Sequence, residues 1–374
     1  MPRIRIPVYQ PDLSGREREY VLECLDSTWI SSKGRFIQEF EAGFARFTGA
    51  PHTVSVCNGT VALHLALLAL GIGPGDEVIV PSLTYIASVN AIRYVGATPV
   101  FCESLPDTWQ MDPADVERRI TPRTRAIMAV HIYGGACEMT RLVALCEQHG
   151  LKLVEDCAEA IGTRLDGRHV GTFGDVATFS FFGNKTITTG EGGMVVCNDP
   201  ALDALLRRLR GQGLAANREY WHDIVGYNYR MTNICAAIGL AQLERADEIL
   251  EQKVRLAASY RRAFADAPVS FQGTCPGEVS SHWMITMLVP NPVSRDAVRV
   301  ELAAAGIETR PAFPLVHHMP MYLESMLQLP HAQDISIRGI NLPSWHGLAD
   351  DAVDEIADIV RKCLTKQGHG LARA

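Results

Sequence analysis

No two of the ten cysteines are spaced Cys-x-x-Cys, and none gathers with histidines at metal-ligand spacing. That argues against zinc ribbons and thioredoxin-type chemistry, and leaves ten thiols serving as small apolar residues. Cys157 follows Glu155 and Asp156, and neighbouring carboxylates raise a thiol pKa, so it is not read as reactive. There is no Lys/Arg-rich block, and a net charge of -7 has the wrong sign for a nucleic-acid partner. The longest apolar run, residues 61–72, is interrupted by His64 and is too short to span a bilayer. Two arginines near the start are followed by no apolar run, so neither a signal nor a transit peptide is expected, and the expected compartment is the cytoplasm. Repeats and low-complexity segments are missing. No Gly-x-Gly-x-x-Gly follows a strand: Gly71, Gly73 and Gly75 come after a helix and flank Pro74, which argues against a dinucleotide-binding dehydrogenase.

What remains is an ordinary globular composition, 47% hydrophobic and 21% charged over 374 residues, enough for two or three domains or one large domain with a small one. Helical spacing is expected over residues 15–26, 36–47, 61–70, 84–94 and 139–149, with Phe36, Phe40, Phe44 and Phe47 along one face. Strands are expected over residues 77–81, 98–101, 126–131, 152–155 and 176–182. Such alternation implies a mainly parallel sheet covered on both faces, with ligands beyond the carboxyl ends of its strands. From about residue 250 the pattern changes: helices over 253–264, 295–305 and 351–363, strands over 282–289 and 307–310, and a loose tail from 367. The expected division is a large α/β domain over 1–246 and a small α/β domain over 247–374.

Three junctions carry chemistry. Cys57-Asn58-Gly59-Thr60 opens a helix; Gly59 lets a ligand approach the backbone, Thr60 can cap, and free N–H groups favour an anion such as phosphate. A plain capped helix start fits that junction as well. Leu153-Val154-Glu155-Asp156 is a strand ending in acids, and Asp156 has the commoner role of turn or cap residue as its alternative. The third junction runs from Ser180 through Phe181-Phe182-Gly183-Asn184 to Lys185, then Thr186-Ile187-Thr188-Thr189-Gly190-Glu191-Gly192-Gly193. A lysine between an apolar run and a nearly uncharged, glycine-rich stretch is shielded from water, which lowers its pKa and makes it a nucleophile toward carbonyls. Together, in this order, the junctions match what pyridoxal phosphate needs: helix N–H donors for its phosphate, a carboxylate for its ring nitrogen and an amine for its aldehyde.

The chain resembles the sugar-nucleotide aminotransferases named after DegT, DnrJ, EryC1 and StrS, from Thr28-Trp29-Ile30-Ser31-Ser32 to Asn341-Leu342-Pro343. The most specific stretches are Gly73-Pro74-Gly75-Asp76-Glu77-Val78-Ile79-Val80-Pro81-Ser82-Leu83-Thr84-Tyr85, Phe179 through Lys185, Thr189-Gly190-Glu191-Gly192-Gly193, and Gly226-Tyr227-Asn228-Tyr229-Arg230-Met231-Thr232. Among these enzymes it is most similar to the GDP-perosamine synthases. The resemblance implies an α/β chain of pyridoxal-phosphate fold type I (aspartate aminotransferase-like), with a large mainly parallel sheet domain and a smaller C-terminal α/β domain. It implies a transaminase that takes an amino group from L-glutamate, passes through pyridoxamine phosphate, and delivers it to C4 of a 4-keto-6-deoxy sugar nucleotide. GDP-4-keto-6-deoxy-mannose, giving GDP-perosamine for lipopolysaccharide O-antigen, is the first choice; a UDP- or dTDP-linked 3- or 4-keto sugar is the alternative.

In that reading Lys185 and Asp156 are the catalytic pair. Gly59, Thr60, Ser180 and Asn184 attend the cofactor, Tyr85 stacks on its ring, and Asn228 reaches the phosphate held by a neighbouring subunit, so a homodimer with shared sites is implied. Trp29, Ser31, Tyr85, Lys185, Arg230 and His317 are the implied substrate contacts. Glu159 stands where many members carry glutamine or histidine, near the ring hydroxyl, and a carboxylate beside a phenolate is costly unless one of them is protonated. Adjacent His317 and His318 do not imply a metal, since chain neighbours seldom point the same way. Some relatives replace the lysine with histidine and dehydrate their substrate; Lys185 favours transamination. A non-catalytic sugar-nucleotide sensor is the rival from another class, and intact Lys185, Asp156 and Ser180 argue against it.

Overall fold

The computed structural model describes residues 3–371. Helices α1 (Glu17–Asp26) and α2 (Arg35–Thr48) precede strand β1 (His52–Val56). Then come α3 (Gly59–Ala69), β2 (Glu77–Pro81), α4 (Ile86–Tyr94), β3 (Thr98–Cys102), α5 (Pro113–Arg118), β4 (Thr124–Val130), α6 (Met139–His149) and β5 (Lys152–Asp156). A short ribbon, β6 (Arg164–Leu165) and β7 (Arg168–His169), leads to β8 (Val176–Ser180), β9 (Gly193–Cys197), α7 (Pro200–Arg210), α8 (Asn233–Leu243) and α9 (Ala246–Ala263). Seven strands form one sheet in the order β1-β9-β8-β5-β4-β2-β3. Only β9 runs against its neighbours, so the carboxyl ends of the other six share one edge.

Strand alternation divides the buried residues of this sheet between its faces. Ile127, Ala129, Leu153, Phe179 and Phe181 join one core with α2 and α8; Met128, Val130, Val154 and Val195 join the other with α3 and α4. The phenylalanine stripe of α2 is bound to the first face: Phe44 lies 4.9 Å from Phe179 and 5.4 Å from Phe181, and Phe40 lies 5.1 Å from Phe181. Each fully buried phenylalanine contributes about 1.5–3 kcal/mol. Phe47 sits at the rim of this cluster, half-buried. Holding Phe179 and Phe181 inward turns Ser180 and Phe182 to the opposite face. Helix α3 is apolar on every side and is accordingly enclosed, with Ala62, Leu65, Ala66 and Leu67 fully buried.

The C-terminal part holds β10 (Ser270–Phe271), β11 (Glu278–Val279), β12 (Ile285–Leu288), α10 (Arg295–Ala304), β13 (Arg310–Pro311), α11 (Pro330–Arg338), β14 (Gly339–Leu342) and α12 (Asp350–Leu371). An antiparallel sheet, β10-β12-β14-β13, packs with α9, α10 and α12 around Tyr260, Leu302, Ile340, Ile356 and Val360. Two details depart from expectation. The strand expected over 307–310 is two residues long, Arg310–Pro311, because Ile307 pairs instead with Ile6. The tail expected from 367 continues α12 as far as Leu371, and its last residues, 372–374, lie outside the described part. The N-terminal segment joins the second sheet: Ile6 donates to the Gly306 carbonyl, Glu308 donates to that of Ile6, and Ser344 donates to that of Val8. Helix α9 contributes Ile249 to the first core and Leu256 and Tyr260 to the third, so it belongs to both bodies. No helix among the described residues is long and apolar enough to cross a membrane.

Candidate active site

A cavity of about 620 Å³ opens at the carboxyl ends of β4, β5 and β8, between those strand ends and the starts of α3 and α4. Gly59, Thr60, Tyr85, Asp156, Glu159, Ser180, Asn184 and Lys185 all line it.

At one end lies the start of α3. Asn58, in extended conformation, caps the helix by accepting from the Val61 N–H at 3.0 Å. The cap is therefore Asn58 and not Thr60, because the helix begins at Gly59, two residues earlier than its apolar periodicity suggests. The N–H groups of Gly59 and Thr60 stand in the first turn, where no helical acceptor exists. A Cβ on Gly59 would lie 2.7 Å from the Ser180 Cβ, so only glycine allows α3 and the end of β8 to close up this tightly. The result is a small cradle of two backbone donors and a hydroxyl at a helix N-terminus, the geometry that takes a phosphate.

Alternation along β5 sends Asp156 toward the cavity and Glu155 away from it. Asp156 is buried, accepts from Ser88 Oγ at 2.7 Å and from the Ala158 N–H at 3.1 Å, and is raised in pKa by burial against the pull of these donors and of Lys185. Glu155 on the other face accepts from the N–H groups of Gly171, Phe173 and Gly174, each at 2.7 Å, and meets His131 Nε2 at 3.1 Å. His131, Glu155 and Cys157 bring their ligand atoms together in a buried cluster. The Cys137 N–H donates to His131 Nδ1, so Nε2 carries the proton toward Glu155, and the donors and acceptors are spent on one another. Burial pushes the Cys157 thiol up to about 12, with the carboxylates adding less.

Lys185 reaches the cavity with its side chain only 12% exposed. Its Nζ lies 3.9 Å from Glu159 Oε1 and 4.0 Å from the centre of the Trp283 ring. Burial lowers its pKa, while Glu159 and Asp156 oppose the shift. Burial also pushes Glu159 up to about 7, although Lys185 and the Tyr133 N–H, which donates to Oε2 at 2.9 Å, pull it back. In the cofactor-free protein this has a consequence for stability. Between about pH 4.5 and 7 the folded carboxyl keeps a proton that the unfolded one has lost, so stability falls as pH rises through that window. The full excursion is about 3 kcal/mol. Urea midpoints measured across the window should fall for wild type and flatten for Glu159→Gln; an equal slope in both would assign the titration elsewhere.

Tyr85 stands at the mouth, 57% exposed, with its ring 5.8 Å from Phe313. Five expected residues do not line this cavity. Asn228 is exposed and accepts from Arg230 at 3.4 Å on a segment running beside Gly211. Trp29 and Ser31 lie on an exposed turn whose carbonyls are held by Asn233, at 2.7 and 2.6 Å. His317 is buried, its Nδ1 2.6 Å from Ser82 Oγ, and burial pushes it down to about 4. Arg230, half-buried, is likewise outside the lining. Conversely, Ser88, Trp283 and Phe313 line the cavity without having been anticipated. Ser88 was findable, one helical turn after Tyr85 on the same face. Trp283 and Phe313 come from the C-terminal part and carry no local signal.

The family model described as the DegT/DnrJ/EryC1/StrS aminotransferase family matches residues 11–361. The chain is 55% identical to the GDP-perosamine synthase of Escherichia coli O157:H7, covering 96% of this chain and 98% of that one. It is 52% identical to the GDP-perosamine synthase of Vibrio cholerae, covering 95% and 98%. The crystal structure of the aminotransferase TlmJ from Streptoalloteichus hindustanus superposes with a TM-score of 0.92 at 32% identity, covering 97% of this chain and all of that one.

Proposed function

The chain belongs to the DegT/DnrJ/EryC1/StrS aminotransferase family, and we propose that it transfers an amino group from L-glutamate to C4 of GDP-4-keto-6-deoxy-mannose, giving GDP-perosamine, an amino sugar of the kind built into lipopolysaccharide O-antigens. The observation that carries this reading is the meeting of Lys185, Asp156 and the Gly59–Ser180 cradle in one cavity. The high identity to two GDP-perosamine synthases supports the choice of sugar.

The donor set fits pyridoxal phosphate: a cradle for a dianion, a buried carboxylate and a shielded amine lie around one space. When bound, that cofactor supplies an aldehyde that takes amines and a protonated ring that accepts electrons. The Gly59 and Thr60 N–H groups and the Ser180 hydroxyl bind the phosphate. Asp156 presents its carboxylate to the ring nitrogen, with Ser88 holding its orientation. Glu159, whose carboxyl keeps its proton close to neutral pH, offers that proton to the ring hydroxyl, which relieves the repulsion a charged carboxylate would meet there. Tyr85, at the cavity mouth, would offer its face to the ring. Lys185 would hold the aldehyde end through Nζ and, as a neutral amine, would take and return the substrate's Cα proton at that atom, as base and then as acid. Trp283 and Phe313 keep water from that amine. Asn228, exposed and outside its own cavity, serves the phosphate of a partner subunit, so the working unit is a homodimer. Trp29, Ser31 and Arg230 meet the sugar nucleotide from the same outer face. His317, bonded to Ser82 behind the lining, supports that region without a direct contact.

Purified protein supplied with L-glutamate should aminate the GDP-linked 4-keto-6-deoxy sugar at least about tenfold faster, by kcat/KM, than the UDP- or dTDP-linked 4-keto sugars. A preference for a UDP- or dTDP-linked sugar would move the assignment to that substrate. No turnover across the panel would end the aminotransferase reading.

A further inference from the structure

Lys253 sits at the middle of α9 with no exposed surface. A buried ammonium ordinarily requires a carboxylate partner. Here Nζ donates to two backbone carbonyls, that of Trp283 at 2.9 Å and that of Ser344, and it lies 5.7 Å from the centre of the Tyr9 ring. Both aromatic residues continue to the active site. Trp283 Nε1 donates to the Asn184 carbonyl at 2.7 Å, and its ring covers the Lys185 Nζ at 4.0 Å. The Tyr9 hydroxyl donates to the Lys185 carbonyl at 2.6 Å. Three segments far apart in sequence, around residues 9, 283 and 344, thus converge on one ammonium, and two of them grip the backbone on which the reacting amine is carried.

We infer that Lys253 is a positioning residue for Lys185: it fixes the Trp283 and Tyr9 side chains that clamp the Asn184 and Lys185 carbonyls and cover the Lys185 amine. The inference rests on Lys185 being the reacting amine. Lys253 acts as a donor to two carbonyls, a role that survives loss of its charge because a neutral amine still carries two N–H groups. Burial pushes it down to about 7, and Tyr9, His282 and His346 are the titratable groups facing it. What it controls is water at Lys185, whose own charged neighbours are Glu159 and Asp156.

The test uses the full-length cofactor-free chain. Labelling of Lys185 by acetic anhydride is followed against pH by peptide mass spectrometry. Lys253→Met keeps the length and burial of the side chain and removes both donors. Releasing Trp283 lets water reach Nζ, which relieves desolvation; that effect exceeds the lost cation–π contact, so the Lys185 midpoint should move up by about one pH unit. In the cofactor-loaded protein kcat should fall about tenfold with KM for the sugar nearly unchanged, because alignment of the amine is lost while the substrate contacts stay. Trp283→Phe and Tyr9→Phe, each losing one clamp, should reproduce a smaller upward shift, and they carry the test if Lys253→Met does not fold. A Lys185 midpoint unmoved or lowered in the folded variants would reduce Lys253 to a fold-stabilising residue. A wild-type midpoint in the ordinary lysine range would remove the premise that Lys185 is a shielded amine.

Discussion

Lys185→Ala is expected to abolish the visible absorbance band of the cofactor-loaded protein and to lower turnover about 10⁴-fold, the upper range for a lost acid–base group, or more. Among the described residues the side chain is the only amine that lines the cavity, and it is aimed between Glu159 and the Trp283 ring. Burial biases it toward the neutral form that both bonding to an aldehyde and proton abstraction require. Lys185→Arg should be as inactive, since a guanidinium keeps the charge and length but is never deprotonated. That pair separates nucleophilicity from charge. Turnover of either variant at the wild-type rate would show that another group does the chemistry. Fold stability should change little or improve, because a buried amine held at a desolvation cost is exchanged for a methyl group.

The second large effect is expected at Asp156. Asparagine has the same shape: its Oδ1 can still accept from the Ala158 N–H, and its amide N–H can donate to the Ser88 hydroxyl in place of accepting from it, so Asp156→Asn should fold and bind cofactor. It cannot keep a ring nitrogen protonated. Loss of one charge-assisted bond inside a buried site costs about 3–4 kcal/mol of transition-state stabilisation, or about 10²–10³ in kcat. A variant with a normal cofactor content and kcat within about threefold of wild type would show that the carboxylate only shapes the loop. Ser88→Ala, which removes the orienting hydroxyl and leaves the charge, should fall between the two.

How much of this was legible in the amino-acid order depends on how local each feature is. Strands β2, β4 and β5 and helix α6 show short apolar runs or 3.6-residue spacing, and their bounds agree with expectation to within two residues. Strand β1, antiparallel β9 and helices α7 and α8 were not read, since β1 pairs across a long sequence distance with β9 and α8 is apolar almost all round. Asp156 and Gly59 could be anticipated because each ends or begins an element, where a ligand can be met, and Lys185 because of its nearly uncharged setting in the turn after β8. Tyr9, Trp283 and Phe313 could not, because tertiary contacts alone bring Trp283 and Phe313 to the cavity and Tyr9 to the Lys185 carbonyl. Glu159 was visible as a residue but its proton was not: its pKa is set by burial, which no sequence window contains.

The segment from Arg5 to Val8, hydrogen-bonded to Gly306, Glu308 and Ser344, imposes an order on assembly. The backbone it pairs with is made some three hundred residues after it, as with Ile6 and Ile307. Contacts of such separation form late, after the loop between them has collapsed. Helices α1 to α6 and the parallel strands therefore have time to settle while the leading segment waits unpaired. Only when the second sheet closes on it does Tyr9 come to rest against the Lys185 carbonyl. The backbone that carries Lys185, proposed above as the reacting amine, is thereby held by a contact that forms late.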